Sequence, residues 1–275
     1  MTVTNPLNQT AKHDSRTEKY NFISTENILD YFSDKGWIVG KNNHGKELVT
    51  YSKSKVNNGF QSHLIRLRNE SFNVNDKYIP GIIIINSHDG SRALRLALGV
   101  FRFVCENGLI VGNSLEQYKI SHKGFTYEKL DIALESLLLQ IKKLHLRIND
   151  LSKTQLSDVD KEFLARKVMN SRLLEVNNVS GIDLESSLSS LRSEDNEGDA
   201  WTFLNILQEK LIRGGVDYFQ QKEVKDEEGN ILDRRVITRT TRPVTNINSV
   251  VQYNQLVWDE VYNLVHQNKN IGLVA

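Results

Sequence analysis

The sequence predicts an α+β fold, a central antiparallel sheet with long helices packed on one face, and three observations carry that prediction. Between Tyr78 and His122, apolar residues recur at every second position through Leu94, Leu96, Leu98 and Val100, and the runs are joined by turns too short for helical crossovers. At Leu130 the period changes. Leu130, Leu134, Leu137, Ile141, Leu144, Ile148 and Leu151 are spaced 4, 3, 4, 3, 4, 3, the seam of a long amphipathic helix. No internal repeat and no linker rich in Pro, Gly or Ser interrupts residues 21–275, which read as a single domain behind a tail of residues 1–20.

The elements follow in order. Residues 1–20 are polar and aperiodic, as expected of a mobile tail. A short helix comes next, with Thr25 as its N-cap, Ile28, Leu29 and Phe32 as its apolar stripe and Gly36 just past its end. Trp37–Val39 and Leu48–Tyr51 read as strands about the turn Asn43-His44-Gly45. Phe60–Arg68 alternates, with Phe60, Leu64, Arg66 and Arg68 on one face and His63, Ile65 and Leu67 on the other. Ile82–Ile85 is a buried-strand run, ended by the turn-forming Asn86-Ser87-His88-Asp89-Gly90-Ser91. The next strand runs to Cys105, Asn107-Gly108 signals a hairpin before Leu109–Val111, and Tyr118 and Ile120 mark one more strand.

The long helix follows. Its seam could cover the sheet or zip onto a second subunit, and beside a large sheet the first reading is preferred. Ser157-x-x-Asp160 is a capping box opening a helix with Phe163, Leu164, Val168 and Leu173 inside. A Ser-rich helical stretch, Leu184–Leu191, leads into the acidic loop Glu194–Asp199. Trp201, Leu204, Leu207 and Leu211 mark a helix stopped by Gly214-Gly215. Phe219–Lys225 and Ile231–Thr238 flank Asp226-Glu227-Glu228-Gly229-Asn230, a hairpin with an acidic tip. A last helix spans about Ser249 to His266.

Composition narrows the function. Thirty-five Lys+Arg against 34 Asp+Glu leave a formal charge of +1, so nucleic-acid binding has to rest on local patches. One cysteine, Cys105, cannot form an intramolecular disulfide, which excludes a stapled secreted scaffold. No apolar run reaches the roughly 18–20 residues that span a bilayer. The start, MTVTNPLNQT, has neither the basic nor the apolar segment of a signal peptide. A soluble intracellular protein without a membrane partner is expected.

Blocks of residues also carry a resemblance. Tyr20-x-x-Ile23-x-Thr25 precedes Gly36-Trp37, then come Asn86-Ser87-His88-Asp89-Gly90, the run Gly99–Leu109, and His122. Further on stand Trp201-x-x-x-Asn205-x-x-Gln208-Glu209-x-x-x-x-Gly214-Gly215, Thr241-Arg242-Pro243 and Asn254-x-x-x-Trp258. With these blocks, in this order over about residues 20–260, the chain resembles the phage- and plasmid-borne family catalogued as domain of unknown function 932. The resemblance implies a phage, plasmid or prophage origin and hence a bacterial host cytoplasm. It assigns no catalytic role to any residue.

Candidate chemistry is read from the residues themselves. His88-Asp89 with His63 and His122 offers the nitrogen and oxygen donors that zinc or manganese accepts, without any short ligand spacing. The simpler reading is a functional or purely structural turn built from Asn86, His88, Asp89 and, nearby, His122, with no metal. Cys105 with His122 is a nucleophile–base pair in principle, but Cys105 ends an apolar strand and reads as a small buried hydrophobe. Phosphate-binding glycine loops are absent, which argues against an ATP-driven motor. The acids fall in loops rather than in the clusters a metal-dependent nuclease needs.

The arginines are more informative. Arg66 and Arg68 share a strand face, Arg92 and Arg102 are expected to share another, and Arg234, Arg235, Arg239 and Arg242 give a local balance of +3 between Ile231 and Thr245. Interleaved threonines and the nearby Tyr218, Phe219 and Tyr253 complete the composition of a single-strand groove. The expected function is therefore a nucleic-acid-binding protein that binds or anneals single-stranded DNA in phage or plasmid DNA metabolism, as a homo-oligomer and without cofactor or nucleotide hydrolysis. The rival readings are a protein-interaction module acting on a host defence protein and a metal-dependent enzyme using His88, Asp89 and His122.

Overall fold

The computed structural model describes residues 5–42, 44–52, 59–73, 78–102, 109–110, 117–190, 192, 195 and 198–272. Cys105, the Asn107-Gly108 hairpin, Asn43 of the first turn and half of the acidic loop Glu194–Asp199 lie outside them. The protein is α+β: helices and antiparallel strands in separate stretches of chain. It clusters into two compact units, residues 1–146 with 245–251, and residues 147–244 with 252–275. Two of the three divisions fall inside helices, between Leu146 and Arg147 and between Val251 and Gln252, and the third, between Val244 and Thr245, lies in the stretch between the last strand and the last helix.

The first unit holds α1 (Thr25–Ser33), β1 (Ile38–Val39), β2 (Val49–Tyr51), β3 (His63–Arg68), β4 (Tyr78–Asn86), β5 (Leu94–Arg102), β6 (Leu109–Ile110), β7 (Gln117–Ile120) and the start of α2 (Tyr127–Ser152). The strands form a seven-stranded antiparallel sheet in the order β1-β3-β4-β5-β6, with β2 also on β3 and β7 also on β5. Register places Ile65, Leu67, Ile82, Ile84, Leu96 and Leu98 on one face, and each is buried. Helices cover that face. Tyr118 and Tyr78 project from it, the first bonding Ser136 and the second meeting His145 Nδ1 at 2.9 Å, both on α2. Leu130, Leu134, Leu137, Ile141 and Leu144 of the helical seam are buried in this unit, each contributing about 1.5–3 kcal/mol of apolar burial. The seam thus packs within the chain.

On the opposite face, Gly81 and Gly99 sit directly across from one another, and the Phe101 ring folds over Gly81. A Cβ at position 81 would lie 1.9 Å from Phe101 Cε2 and 2.5 Å from the Leu67 carbonyl oxygen, so only glycine fits.

Residues from Asn5 to Tyr20, read from composition as a mobile tail, are docked on this unit. Pro6 and Leu7 are buried, and His13 N–H donates to the His88 carbonyl at 3.1 Å. Hydrogen bonds to a turn, rather than an apolar stripe, hold the segment, and such bonds leave no period in the sequence.

The second unit holds α3 (Asp158–Leu173), β8 (Val179–Ile182), α4 (Leu184–Leu188), α5 (Ala200–Arg213), β9 (Asp217–Lys225), β10 (Ile231–Thr240) and most of α6 (Ile247–Gly272). The Ser157/Asp160 capping box forms as expected, with both reciprocal bonds made. Strand β8 was not expected and completes a three-stranded sheet in the order β10-β9-β8. The polar residues of α5 are structural. Asn205 donates to Trp201 O, Gln208 to Asn254 Oδ1, and buried Glu209 receives both Nη atoms of Arg192, at 2.6 and 2.8 Å, with Arg213 Nη1 2.8 Å away. Gly214 ends the helix at φ 80°, where a Cβ would meet Thr241 O at 2.4 Å.

Candidate functional site

The turn after β4 gathers several of the nominated residues. Asn86 and His63 are cross-strand partners on the helix-covered face, and Thr25, at the start of α1, sets its hydroxyl between them and His88. His63 Nδ1 is 3.1 Å from Gln61 O. A carbonyl only accepts, so that nitrogen carries the proton, and His63 Nε2 accepts from the Thr25 hydroxyl at 2.8 Å. By the same logic His88 is protonated on Nε2, which donates to Pro6 O at 2.9 Å and lies 3.2 Å from Thr25 Oγ1. Asn86 Nδ2 donates to Thr25 Oγ1 at 3.1 Å and to Ile23 O at 3.3 Å. One hydroxyl is therefore the hub of three buried polar side chains.

Thr25, His63, Asn86 and His88 are all fully buried. Desolvation holds the His63 pKa down at about 3 and the His88 pKa at about 4, so both rings are neutral at physiological pH. Within the turn, Ser87 Oγ accepts from Arg92 N–H and donates to Arg92 O, while Asp89 Oδ1 accepts from Ser91 N–H at 2.9 Å. These are the local bonds of a self-capped turn. His122 stands beside it, donating from Nδ1 to Asn21 O at 3.2 Å and stacked on Tyr20 at 4.6 Å between centroids. Burial lowers its pKa as well. Among the described residues no three His, Cys, Asp or Glu side chains are grouped to hold a metal ion. The proton-bearing nitrogen of each of these histidines faces a carbonyl.

The arginines separate. Arg66 and Arg68 do share a face of β3. Arg66 is buried, bonded through Nη1 to Thr50 Oγ1 at 3.1 Å, and stays cationic although burial lowers its pKa to about 10. Arg68 pairs with Glu70 at 3.2 Å. Register adds Arg95 and, directly opposite it, Lys119 to the same face, two residues that sequence reading passed over. Arg92 and Arg102 do not share a face. Arg92 lies in the turn ahead of β5, where strand alternation has not begun, and donates to Ser62 Oγ and Asn248 Oδ1, whereas Arg102 points to the helix-covered side opposite Tyr78.

In the second unit, β8 pairs with β9 only at Tyr218–Gln220, so from Lys222 outward β9 and β10 form a two-stranded ribbon. Its turn is closed by Asp226, whose carboxylate accepts from the Glu228 and Asn230 N–H groups at 3.0 and 2.7 Å. Register sorts the ribbon's charges by face. Arg235 stands opposite Lys222, Arg239 opposite Tyr218 and Asp233 opposite Val224. The other face pairs Arg234 with Glu223, 3.8 Å apart, and Thr238 with Phe219. One face thus has three cations and one acid, with Arg235 Nε 2.9 Å from Asp233. The other carries Arg234 against Glu223 and Asp217.

Of the four expected arginines, then, only Arg235 and Arg239 share a face of the ribbon. Arg234 is on the far face, and Arg242 follows the end of β10, with its carbonyl oxygen held by Arg172. Tyr253 lies under the Arg172 guanidinium rather than beside the ribbon. Lys222 was missed, and the Asp226–Asn230 turn alone would have set it across from Arg234; a register shift between Ile231 and Asp233 brings it opposite Arg235 instead. Two like charges face to face on a strand pair weaken it.

An antiparallel α+β protein with these blocks in place matches a known family over most of its length. The model of the domain of unknown function (DUF932) covers residues 12–258, and the chain belongs to this family. It is similar to the UPF0380 protein YfjQ of Escherichia coli (strain K12), 27% identical over 256 residues that make up 93% of this chain and 86% of that one. It is likewise similar to the UPF0380 protein YafZ of the same organism, 27% identical over 247 residues, 90% and 83% of the two chains. No solved structure matches. Among the described residues no helix is long and apolar enough to cross a membrane.

Proposed function

We propose that the protein binds single-stranded nucleic acid through the Lys222/Arg235/Arg239 face of the β9–β10 ribbon, in bacteriophage or plasmid DNA metabolism in the host cytoplasm. The observation that carries this reading is the segregation of charge. On the exposed ribbon, Lys222, Arg235 and Arg239 share one face with Tyr218 and a single acid, Asp233, while Arg234 shares the other with Glu223 and Asp217. Guanidinium and ammonium groups a strand apart suit successive phosphates, and an aromatic ring beside them suits an unpaired base. A polyanion would also relieve the repulsion between Lys222 and Arg235.

The test is fluorescence anisotropy with labelled single- and double-stranded DNA at low and physiological salt. Binding to the single strand should weaken as salt rises, since phosphate contacts release counterions. Replacing Arg235 and Arg239 by Ala should flatten that dependence by about one unit of slope per lost contact. No binding at low salt removes the proposal. Tight binding indifferent to salt removes its electrostatic basis and favours a protein partner at the acidic tip, Asp226–Glu228.

A further inference from the structure

The first unit has a second basic site, unrelated to the ribbon. An open cleft of about 570 Å³ lies between the Arg16–Tyr20 segment, the Gly90–Ala93 turn and the Ser121–Lys123 stretch after β7. Arg16, Lys19, Arg92 and Lys123 line it, together with the stacked Tyr20–His122 pair. Among the described residues no carboxylate lines it. Asp89 acts on Tyr20 and Arg92 through its field and has Oδ1 engaged by Ser91 N–H. Among the described residues none of the four cations forms an ion pair: Arg16 bonds Ser15 Oγ, and Arg92 bonds Ser62 and Asn248.

Four cations converging from three chain segments repel one another, and here the fold supplies no acid between them. A dianion placed among them removes that cost. Arg16 and the Nη2 group of Arg92 offer guanidinium donors to phosphate oxygens, and the ammonium groups add point charges. The cleft has the volume of a small-molecule site. Its stacked rings offer a π surface of the kind on which nucleobases rest.

We propose that this cleft binds a phosphate monoester, whose two sources are a free nucleoside 5′-monophosphate and the 5′-phosphorylated end of a strand. The proposal stands on its own geometry, and the ribbon variant separates it from the strand-binding reading. Titration calorimetry on the full chain at low salt would use inorganic phosphate, AMP, adenosine, and one short oligothymidylate with and without a 5′-phosphate. AMP should bind, adenosine should not, and inorganic phosphate should compete. Lys19→Ala with Lys123→Ala, both exposed, should weaken AMP binding about tenfold or more, and Arg16→Ala serves as a second variant if that pair disturbs folding. Arg235→Ala with Arg239→Ala should leave AMP binding unchanged. A phosphorylated oligonucleotide that binds over tenfold tighter than AMP identifies the strand end as the ligand, and equal affinities identify the free nucleotide. The proposal falls if AMP binds no better than adenosine and the 5′-phosphate makes no difference, or if the Lys19/Lys123 and Arg16 variants bind AMP as wild type does.

Discussion

The turn after β4 and the β9–β10 ribbon use polar residues in opposite ways. In the turn, Thr25, His63, Asn86 and His88 are buried, and one hydroxyl serves all three of its neighbours. Along the ribbon Arg235 is exposed and answered only by Asp233, and Arg239 stands exposed opposite Tyr218. His63 and His88, which look like catalysts in the sequence, are instead buried in bonds to Thr25, Pro6 and His13 of the N-terminal part of the chain. Plain surface cations remain available for a ligand. Chemical type alone therefore says little about role, and burial together with partners decides it.

The contrast is broken most directly at its hub. Thr25→Val keeps the shape of the side chain and strands the His63 Nε2 acceptor and an Asn86 donor in the interior, each costing about 1–3 kcal/mol. Urea unfolding should show a loss of about 2–5 kcal/mol, and a change below about 0.5 kcal/mol would mean the cluster is not load-sharing.

Acid should act next. The folded-state pKa values of His63 and His88, about 3 and about 4, lie below the ordinary value of 6.5, so the unfolded chain binds more protons. Stability from this source is complete above pH 7 and falls as pH drops through 6.5 toward 4. At pH 5.5 the loss should be about 1–1.5 kcal/mol per ring. Denaturation followed from pH 8 to 5 checks it, and a flat profile would place the rings in contact with water.

The ribbon should show the reverse behaviour. Arg235→Ala with Arg239→Ala should melt within about 0.5 kcal/mol of wild type while losing most single-strand affinity. Unfolding of that variant would show the arginines to be structural. Smallest of all should be Arg234→Ala, on the opposite face against Glu223, which is expected to leave the salt dependence of binding unchanged. A loss equal to that of the double variant would show that the two faces do not act separately.

Much of this was legible in the sequence because it depends on local periodicity. The α2 seam, the β4–β5 meander, the capping box at Ser157 and the hairpin around Asp226 all follow from spacing and turn residues. What spacing could not give was pairing. Arg92 and Arg102 seem related only until β5 is seen to begin at Leu94, and Arg234 parts from Arg235 because neighbours in a strand face opposite ways. Tyr20 meets His122 across about a hundred residues, and the four cations of the cleft come from segments with no common pattern. Such long-range meetings are products of topology, which no local window contains.

The Phe101 ring lying over Gly81 has an evolutionary consequence. The two positions occupy one volume, so neither can change freely while the other stays. A relative that acquires a side chain at the position of Gly81 must give up the aromatic ring at the position of Phe101, in the same lineage or through a smaller intermediate there first. Aligned members of the family should therefore show the pair co-varying, with glycine accompanying a large ring and a larger residue accompanying a small one, a linkage inherited as a unit although twenty positions separate its parts along the chain.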